Sequence, residues 1–159
     1  IGSTIREMAF YLKNKKELTV ITNSILVINE LINTDVKVIV LGGVLNNNEE
    51  MIYSYSTEQM LEQYYVDKAF FSCGGIFQNN ITDYGETLDR YKLAQHSKKM
   101  ILLADSRKFG RTAKIKSCSF DIVDTVVVDT EINSQYLDYL QHQKINILLA
   151  STDEQENIT

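Results

Sequence analysis

Residues 99–108 read KMILLADSRK, and this stretch decides the fold class. An apolar run of strand length, Met100–Ala104, leads directly into a polar turn that contains Asp105 and Lys108. An apolar run without alternation is typical of a parallel strand that is buried on both faces of its sheet. Further runs of this kind occur along the chain, and segments with helical periodicity lie between most of them. We therefore predict an α/β fold in which a mostly parallel sheet is flanked by helices.

The apolar runs predict the individual strands, and the helical periodicity predicts the helices. The predicted strands are Leu18–Thr22, Val36–Leu41, Lys68–Cys73, Met100–Ala104, Thr125–Asp129 and Ile145–Ala150. Helices are predicted near 4–13, 24–33, 56–65, 86–97 and 133–143. Ser24 is placed to cap the second helix, and Asn133 or Ser134 to cap the last one.

The composition fits one globular domain, which we place at residues 1–150, followed by a polar tail at 151–159. The net charge of -5 disfavours direct DNA binding by this segment, because neutralising phosphates requires a basic face. No apolar run approaches the roughly 20 residues that span a bilayer, so we expect no membrane partner. The two cysteines, Cys73 and Cys118, match no metal-site spacing, and they suggest a reducing, cytoplasmic setting.

Small and polar residues follow four strands of the predicted sheet. In open parallel sheets, ligands bind at the carboxyl ends of the strands, where helix N-termini present free N–H groups. Each turn taken alone is also ordinary chemistry for a strand-to-helix connection. Four together, with a lysine in the last, favour a site for a small anionic molecule. The turns are Asn23-Ser24, Gly42-Gly43, Gly74-Gly75 and Asp105–Lys108.

The opening residues, IGST, place Gly2, Ser3 and Thr4 at the start of the first predicted helix. Gly2 allows close approach of the backbone. The two hydroxyl groups lie beside the first amides of the helix, where the dipole favours an anion by roughly 0.3–1 kcal/mol. The same residues also suit an ordinary N-cap, so both interpretations stay open.

Five segments, taken in order, resemble the DeoR family of bacterial transcriptional regulators. They are LTVITNSILVINEL, VKVIVLGGVL, VDKAFFSCGGI, ETLDRYKLAQHSKKMILLADSRKFGR and FDIVDTVVVD. The likeness covers about residues 1–130 and is to the C-terminal sensor domain of that family. It implies a Rossmann-like, three-layer fold of the sugar-phosphate isomerase type, related to ribose-5-phosphate isomerase and glucosamine-6-phosphate deaminase.

The resemblance also implies a function. The chain would be the ligand-sensing and oligomerisation domain of a transcriptional regulator of sugar metabolism, usually a repressor. Its expected partners are a phosphorylated sugar or related metabolite and further copies of itself, as a dimer or a larger homo-oligomer. DNA would be bound only through a winged helix-turn-helix domain which, like the first strand of the sensor domain, would lie upstream of Ile1. No cofactor and no metal are implied.

The resemblance implies a role in ligand binding for each residue of this chain that matches a binding position of the family. Lys108 supplies a positive charge for the phosphate, with Asp105 beside it to orient groups of the ligand, and the two glycines of the third turn let the ligand approach. Glu86 either accepts hydrogen bonds from sugar hydroxyls or is simply a favourable first-turn acid, and Arg90 stands where the family commonly has lysine. The residues implied to bind the ligand are Gly2, Ser3, Thr4, Thr22, Asn23, Ser24, Gly42, Gly43, Glu86, Arg90, Asp105 and Lys108.

The chain departs from the related isomerases at one chemically important place. Those enzymes carry paired aspartates, D-G-A-D, after the middle strand, whereas this chain reads FFSCGGI with Gly74 in place of the second aspartate. Without these carboxylates, general acid–base chemistry lacks its proton carriers. We therefore predict binding without catalysis and no catalytic residue. The alternatives are a sugar-phosphate isomerase or deaminase of the same fold, and a purely structural dimerisation domain.

Overall fold

The computed structural model describes residues 3–85 and 87–151, Ser3 by its backbone alone. The α-helices are α1 (Ser3–Phe10), α2 (Ile25–Leu31), α3 (Tyr55–Leu61), α4 (Arg90–Gln95) and α5 (Ser134–His142). The strands are β1 (Thr19–Thr22), β2 (Lys37–Val40), β3 (Val44–Asn46), β4 (Met51–Tyr53), β5 (Ala69–Phe71), β6 (Gly75–Phe77), β7 (Asn80–Asp83), β8 (Met100–Leu103), β9 (Ile115–Ser119), β10 (Thr125–Asp129) and β11 (Asn146–Ala150).

All six strands predicted from apolar runs form, and they pair in parallel. A four-stranded sheet has the order β11-β10-β8-β5, and β1 pairs with β2 in a separate two-stranded sheet. In the smaller sheet Thr19 lies opposite Lys37 and Thr22 opposite Val40. The predicted strands are trimmed by at most two residues at either end. The predicted α/β fold, with parallel strands flanked by helices, is therefore confirmed.

The five predicted helices also form, each somewhat shorter than its periodic segment. The two predicted caps are confirmed by their hydrogen bonds. Ser24 Oγ accepts from the backbone N–H of Val27 at 3.5 Å, and Asn133 Oδ1 accepts from that of Gln135 at 2.8 Å. Within the described residues, none of these helices is long and apolar enough to cross a membrane.

The antiparallel strands are absent from the sequence prediction. β3 and β4 form a hairpin, and β6, β7 and β9 form a three-stranded antiparallel sheet in the order β6-β7-β9. These strands have three to five residues, and several carry polar side chains, as in NITD of β7. Short polar strands are stabilised by their partners more than by their own composition, so they lack a clear period-2 pattern.

Two apolar clusters hold the fold together, one on each parallel sheet. The main cluster packs the four-stranded sheet against helices, and its most deeply buried side chains include Phe71, Leu102, Val126 and Leu140. The smaller cluster packs α1 and α2 against the β1–β2 pair through Ala9, Val27, Leu31 and Val36. Leu41, which directly follows β2, belongs to the main cluster, and Ile21 of β1 packs against it, so the smaller sheet contributes to both clusters.

One pair of leucines tests which part of the four-stranded sheet carries its stability. Leu102 in β8 has no exposed surface, whereas Leu149 in the edge strand β11 is 53% exposed. Leu102→Ala should lower the free energy of unfolding by about 2–5 kcal/mol, because it leaves a cavity in the core. Leu149→Ala should change it by less than about 0.5 kcal/mol. Urea unfolding followed by circular dichroism measures both; equal losses would contradict the assignment of the core to β8.

Candidate functional site

A cavity of about 720 Å³ lies between β1 and β5. Residues 19–24 line one wall and residues 67–72 the other, so the cavity follows both strands along their whole length. In the described part of the chain β1 pairs only with β2 and β5 only with β8. Apolar side chains of α1 and α4, including Met8 and Leu93, complete the lining. The cavity therefore extends between two unpaired strand edges up to their carboxyl ends.

The turn after β1 forms the polar end of one wall. Thr22, Asn23 and Ser24 all line the cavity, and their role in ligand binding stays a prediction. Asn23 Nδ2 donates to the carbonyl of Ile52 at 2.8 Å, and Thr22 Oγ1 accepts from the N–H of Ser24 at 3.1 Å. These bonds fix the turn, and Asn23 Oδ1 accepts no hydrogen bond from the described residues.

The start of α4 brings a cation to the same cavity. The predicted helix at 86–97 begins only at Arg90, because the Asp89 carboxylate caps it by accepting from the N–H groups of Tyr91 and Lys92 at 2.8 and 3.2 Å. Arg90 is 8% exposed and lines the cavity together with the β1 turn.

The structure neither supports nor contradicts the predicted binding roles of Gly2, Ser3, Thr4 and Glu86. Gly2, the side chain of Ser3 and Glu86 lie outside the described residues. Thr4 is half-buried in the first turn of α1 and is not part of the lining of the cavity. The implied roles of these four residues stay predictions.

A buried carboxylate that the sequence reading did not identify holds Arg90 in place. Asp83, at the end of β7, has no exposed surface. Its Oδ1 accepts from the N–H of Gly74 at 3.1 Å, its Oδ2 accepts from Ser117 Oγ at 2.5 Å, and Arg90 Nη2 lies 3.7 Å from Oδ2. A buried carboxylate requires such partners, since an uncompensated charge in the interior is very unfavourable. The sequence could have indicated Asp83 only if β7 had been predicted, since Asp83 is the last residue of that strand.

Beyond the carboxyl end of β8, Asp105 caps a 3₁₀ turn at Ser106–Lys108, and Lys108 is the last residue of that turn. The Asp105 carboxylate accepts from both the backbone N–H and Nε of Arg107 at 3.1 Å, so it pairs with Arg107. Lys108 is half-buried, and its side chain makes no hydrogen bond or ion pair within the described part of the chain. Neither Asp105 nor Lys108 lines the cavity between β1 and β5.

The pKa of the Cys73 thiol is shifted by burial and by the charges around the carboxyl end of β5. Burial, followed by the negative charge of Asp83, raises its pKa to about 12, and the positive charges of Lys108 and Arg90 oppose this shift. The geometry agrees: the Arg90 guanidinium lies 5.0 Å from the ring centroid of Phe71, the last residue of β5. Lys108 lies in the turn after β8, which pairs in parallel with β5. A thiol with such a raised pKa is a buried apolar group rather than a nucleophile, because the thiolate is the reactive form.

Gly43 has a packing role that the sequence does not show, whereas its neighbour Gly42 does not. A Cβ on Gly43 would meet Thr57 Oγ1 and would lie 2.6 Å from Ser54 Oγ, and the φ angle there is +153°. A Cβ on Gly42 would lie 3.6 Å from Met60 Sδ, which is ordinary contact. Gly43 thus lets the strand end pack on the start of α3, and the approach of a ligand to these glycines stays a prediction.

The position that carries an aspartate in the related isomerases is closed in this chain. A Cβ on Gly74 would lie 2.9 Å from Ala113 Cβ and 3.0 Å from the ring of Tyr84. No side chain fits there without displacing its neighbours. In the described part of the chain, no group of three or more His, Cys, Asp or Glu side chains is arranged to hold a metal ion.

Comparison with known families agrees with this architecture of parallel strands and polar strand ends. The family model described as the DeoR C terminal sensor domain matches residues 1–130. The chain belongs to this family. The DeoR sensor match covers β1 to β10 and includes every turn discussed above.

Curated relatives of this DeoR sensor domain are transcriptional regulators. The HTH-type transcriptional repressor GlcR of Bacillus subtilis is 30% identical over 96% of this chain and 60% of its own length. The L-fucose operon activator of Haemophilus influenzae is 33% identical over 87% of this chain and 57% of its own length. The glycerol-3-phosphate regulon repressor of Escherichia coli is 29% identical over 81% and 53%, respectively. The chain therefore spans little more than half the length of these relatives.

The two adjacent glycines provide a matched test of the third turn. Gly43→Ala should lower the free energy of unfolding by about 1–3 kcal/mol, because the new methyl group collides with hydroxyls of α3 at an unfavourable φ. Gly42→Ala should change it by less than about 1 kcal/mol, since its methyl group meets only Met60. Urea unfolding of the two variants compares them directly, and an equal loss in both would be inconsistent with the packing described.

Proposed function

We propose that this domain binds a phosphorylated sugar or a related metabolite and thereby modulates DNA binding by a winged helix-turn-helix domain outside the 159 residues. The observation that carries the proposal is Lys108, which has no partner among the described residues and lies in the turn after β8, the parallel neighbour of β5. Arg90 lies over the ring of Phe71 at the end of β5 and is the second cation near this strand end. The names of two relatives, which refer to L-fucose and to glycerol 3-phosphate, support the same class of effector.

Lys108 is the natural phosphate-binding group. The residue is half-buried and its ammonium group lacks an acidic partner within the described residues, so its charge is available to a ligand. Parallel strands direct their turns to one edge of the sheet, and the turn after β1 presents Thr22, Asn23 and Ser24 at that edge. Gly2, Ser3, Thr4 and Glu86 remain part of the proposed site through the resemblance alone.

We propose a binding function rather than an enzyme. The Gly74 position has no room for a carboxylate, and the nearest buried acid, Asp83, already accepts hydrogen bonds from Gly74 and Ser117. A general acid–base catalyst needs a carboxyl group within reach of the substrate protons. These contacts weigh against the isomerase or deaminase alternative.

Signalling from such a site requires that the ligand favours one arrangement of the protein over another. Couplings of this kind are typically worth about 1–3 kcal/mol. Regulators with helix-turn-helix domains often read paired half-sites as dimers, so we include self-association in the proposal. Exposed apolar residues on the antiparallel hairpin and on the edge strand, such as Val44, Leu45, Leu148 and Leu149, offer surfaces for it.

The proposed phosphate site is tested by removing the Lys108 ammonium group. Glucose 6-phosphate, fructose 6-phosphate, glucosamine 6-phosphate, ribose 5-phosphate and glycerol 3-phosphate are compared by thermal shift and calorimetry. At least one should raise the melting temperature, and Lys108→Ala should weaken its binding about tenfold or more, a loss of about 1.4 kcal/mol.

Lys37→Ala is the matched control for this variant, because Lys37 is exposed at the amino end of β2, the opposite edge of its sheet. It should bind the same ligand as tightly as the unchanged protein. Absence of any shift with the whole panel, or unchanged binding by Lys108→Ala, would count against the proposed function.

We further propose that a strand contributed by polypeptide outside the 159 residues occupies the cavity between β1 and β5. The two facing edges are unpaired in the described chain, and edges of this kind accept a further strand through main-chain hydrogen bonds. A parallel strand there would join the two sheets into one. The sequence-based expectation of a first strand upstream of Ile1 gives this strand its origin.

Hydrogen exchange tests the additional strand. In a version extended at its N-terminus, amides in residues 19–24 and 67–72 should exchange about tenfold more slowly than in the 159-residue chain, because they gain main-chain partners. Residues 125–129, already paired on both sides in β10, serve as the internal control. Unchanged exchange in the two strand edges would refute the proposed position of the strand.

A further inference from the structure

The outer edge of strand β11 is apolar, uncharged and unpaired within the described residues. β11 is the last strand of the four-stranded sheet, and all five of its residues pair with β10 on the other side. Its sequence is NILLA, and Leu148 and Leu149 are 52% and 53% exposed. Because neighbouring residues of a strand point to opposite faces, this edge exposes apolar surface on both faces of the sheet.

Other outer strands of the protein carry features that discourage pairing with another chain. β2 and β9 each contain an exposed lysine, Lys37 and Lys116, and β3 has only three residues. Lysines and short strands protect an exposed edge, because an unprotected edge accepts a strand from another chain. The five residues of β11 include no such feature. Its edge is therefore suited to a partner strand more than to solvent.

Two charges of opposite sign lie at the two ends of this edge. Lys144 stands just before β11, and Glu131 follows Asp129, the residue of β10 that pairs with the last residue of β11. The side chains of Lys144 and Glu131 are exposed and form no ion pair within the described residues. An antiparallel copy of β11 would bring the start of one strand beside the end of the other. Lys144 of each copy would then lie toward Glu131 of the other copy.

Two other segments that could cover this edge fit it poorly. Residues 152–159 read TDEQENIT, with three acidic residues and a single apolar one, Ile158, which does not match a pair of exposed leucines. The additional strand proposed above has its place beside β5, and β8 and β10 separate β5 from β11. A second copy of β11, by contrast, offers the same apolar side chains as the edge itself.

We infer that β11 of a second copy pairs antiparallel with this edge and joins the four-stranded sheets of two copies into one. With Leu148 of one copy opposite Leu148 of the other, Ile147 lies opposite Leu149 and Asn146 opposite Ala150. All five residues then pair, and apolar side chains meet each other across the strands. A two-fold axis at Leu148 makes every contact occur twice, as in symmetric dimers. The inference rests on the self-association in the proposed function and names its surface.

The strength of this association can be bounded. One strand from each copy forms a small interface, so we expect a dissociation constant of about 10–100 µM. Analytical ultracentrifugation of the 159-residue chain over about a hundredfold range of concentration should show a monomer that passes into a dimer by mass action. A chain that stays monomeric up to about 1 mM would contradict the inference.

A charge at the centre of the edge tests the surface. Leu148→Lys places two positive charges opposite each other at the two-fold axis and should weaken dimerisation about tenfold or more. Val40→Lys is the matched control, because Val40 is 39% exposed in the outer strand β2, and it should change the dissociation constant by less than about twofold. Circular dichroism confirms that both variants are folded. Unweakened dimerisation of Leu148→Lys would overturn the inference.

A charge exchange tests the antiparallel direction. Lys144→Glu and Glu131→Lys should each weaken dimerisation about threefold or more, because each variant sets like charges beside each other twice in the dimer. The variant with both changes should dimerise as tightly as the unchanged protein, since both ion pairs form again with reversed sign. A merely structural role for either side chain would not produce this rescue. A double variant weaker than both single ones would rule out the antiparallel arrangement.

A cysteine at the two-fold axis tests the register. Opposed residues of antiparallel strands have Cα atoms about 4.5–5.5 Å apart, which a disulfide can span. Leu148→Cys should therefore form a covalent dimer with oxidised glutathione, whereas Asn146→Cys should not, because its two copies would lie about 14 Å apart. Cys73 and Cys118 are buried and do not compete. If Leu148→Cys stays uncrosslinked at concentrations where it dimerises, the inferred pairing is wrong.

The outcomes separate this inference from the proposed function. If the chain dimerises and neither lysine nor cysteine at residue 148 has its expected effect, the inference is wrong and the proposed self-association stands on another surface. If the β11 dimer forms but no sugar phosphate of the panel binds, the inference stands and the effector proposal fails. If the chain binds an effector and stays monomeric, the inference and the self-association are both wrong.

Discussion

The buried Asp83 carboxylate is the interaction on which the arrangement of the site depends. It has no exposed surface, yet it joins the segment before β6, strand β9 and helix α4 through Gly74, Ser117 and Arg90. A charge in the interior is tolerated only when hydrogen bonds and an opposite charge surround it. The antiparallel sheet and the start of α4 must therefore take one particular relative position. That position sets the guanidinium of Arg90 against Phe71, on the wall of the cavity.

The separation of the two parallel sheets is the second constraint on the site. β1–β2 and β5–β8–β10–β11 do not pair with each other within the described residues, and only Leu41 and Ile21 of the smaller sheet reach the main apolar cluster. Both nevertheless have strands that run alongside the same cavity. Polar residues at the end of β1 and Arg90 at the start of α4 therefore line one cavity, which neither sheet could form alone.

The chemistry near this region fits recognition better than reaction. The carboxylates are already engaged: Asp83 with Arg90 and two hydrogen-bond donors, and Asp105 with Arg107. The Cys73 thiol is buried, and its raised pKa keeps it protonated at neutral pH. The Lys108 ammonium group, by contrast, has no acidic partner within the described residues.

The sequence by itself determined the parallel layer of the fold and the residues at its strand ends. An unbroken apolar run such as TVVVD of β10 is typical of a strand that is buried on both faces. Such a strand can therefore be predicted from its own residues, without knowledge of the strands it pairs with. The turn residues 22–24 follow from the same pattern, because parallel strands end at one edge. The family resemblance identified Arg90 and Lys108, but not what surrounds them.

Only the tertiary structure decided the antiparallel strands and the role of Asp83. The sequence NITD of β7 shows no period-2 pattern. This strand is stabilised by its neighbours, β6, which is equally short, and β9, which is distant in the sequence. Asp83 and Ser117 are 34 residues apart, and no local rule links a carboxylate to a donor at that distance in sequence. Local pattern thus determined which segments form the parallel layer, while long-range packing decided which polar groups have partners within the described residues.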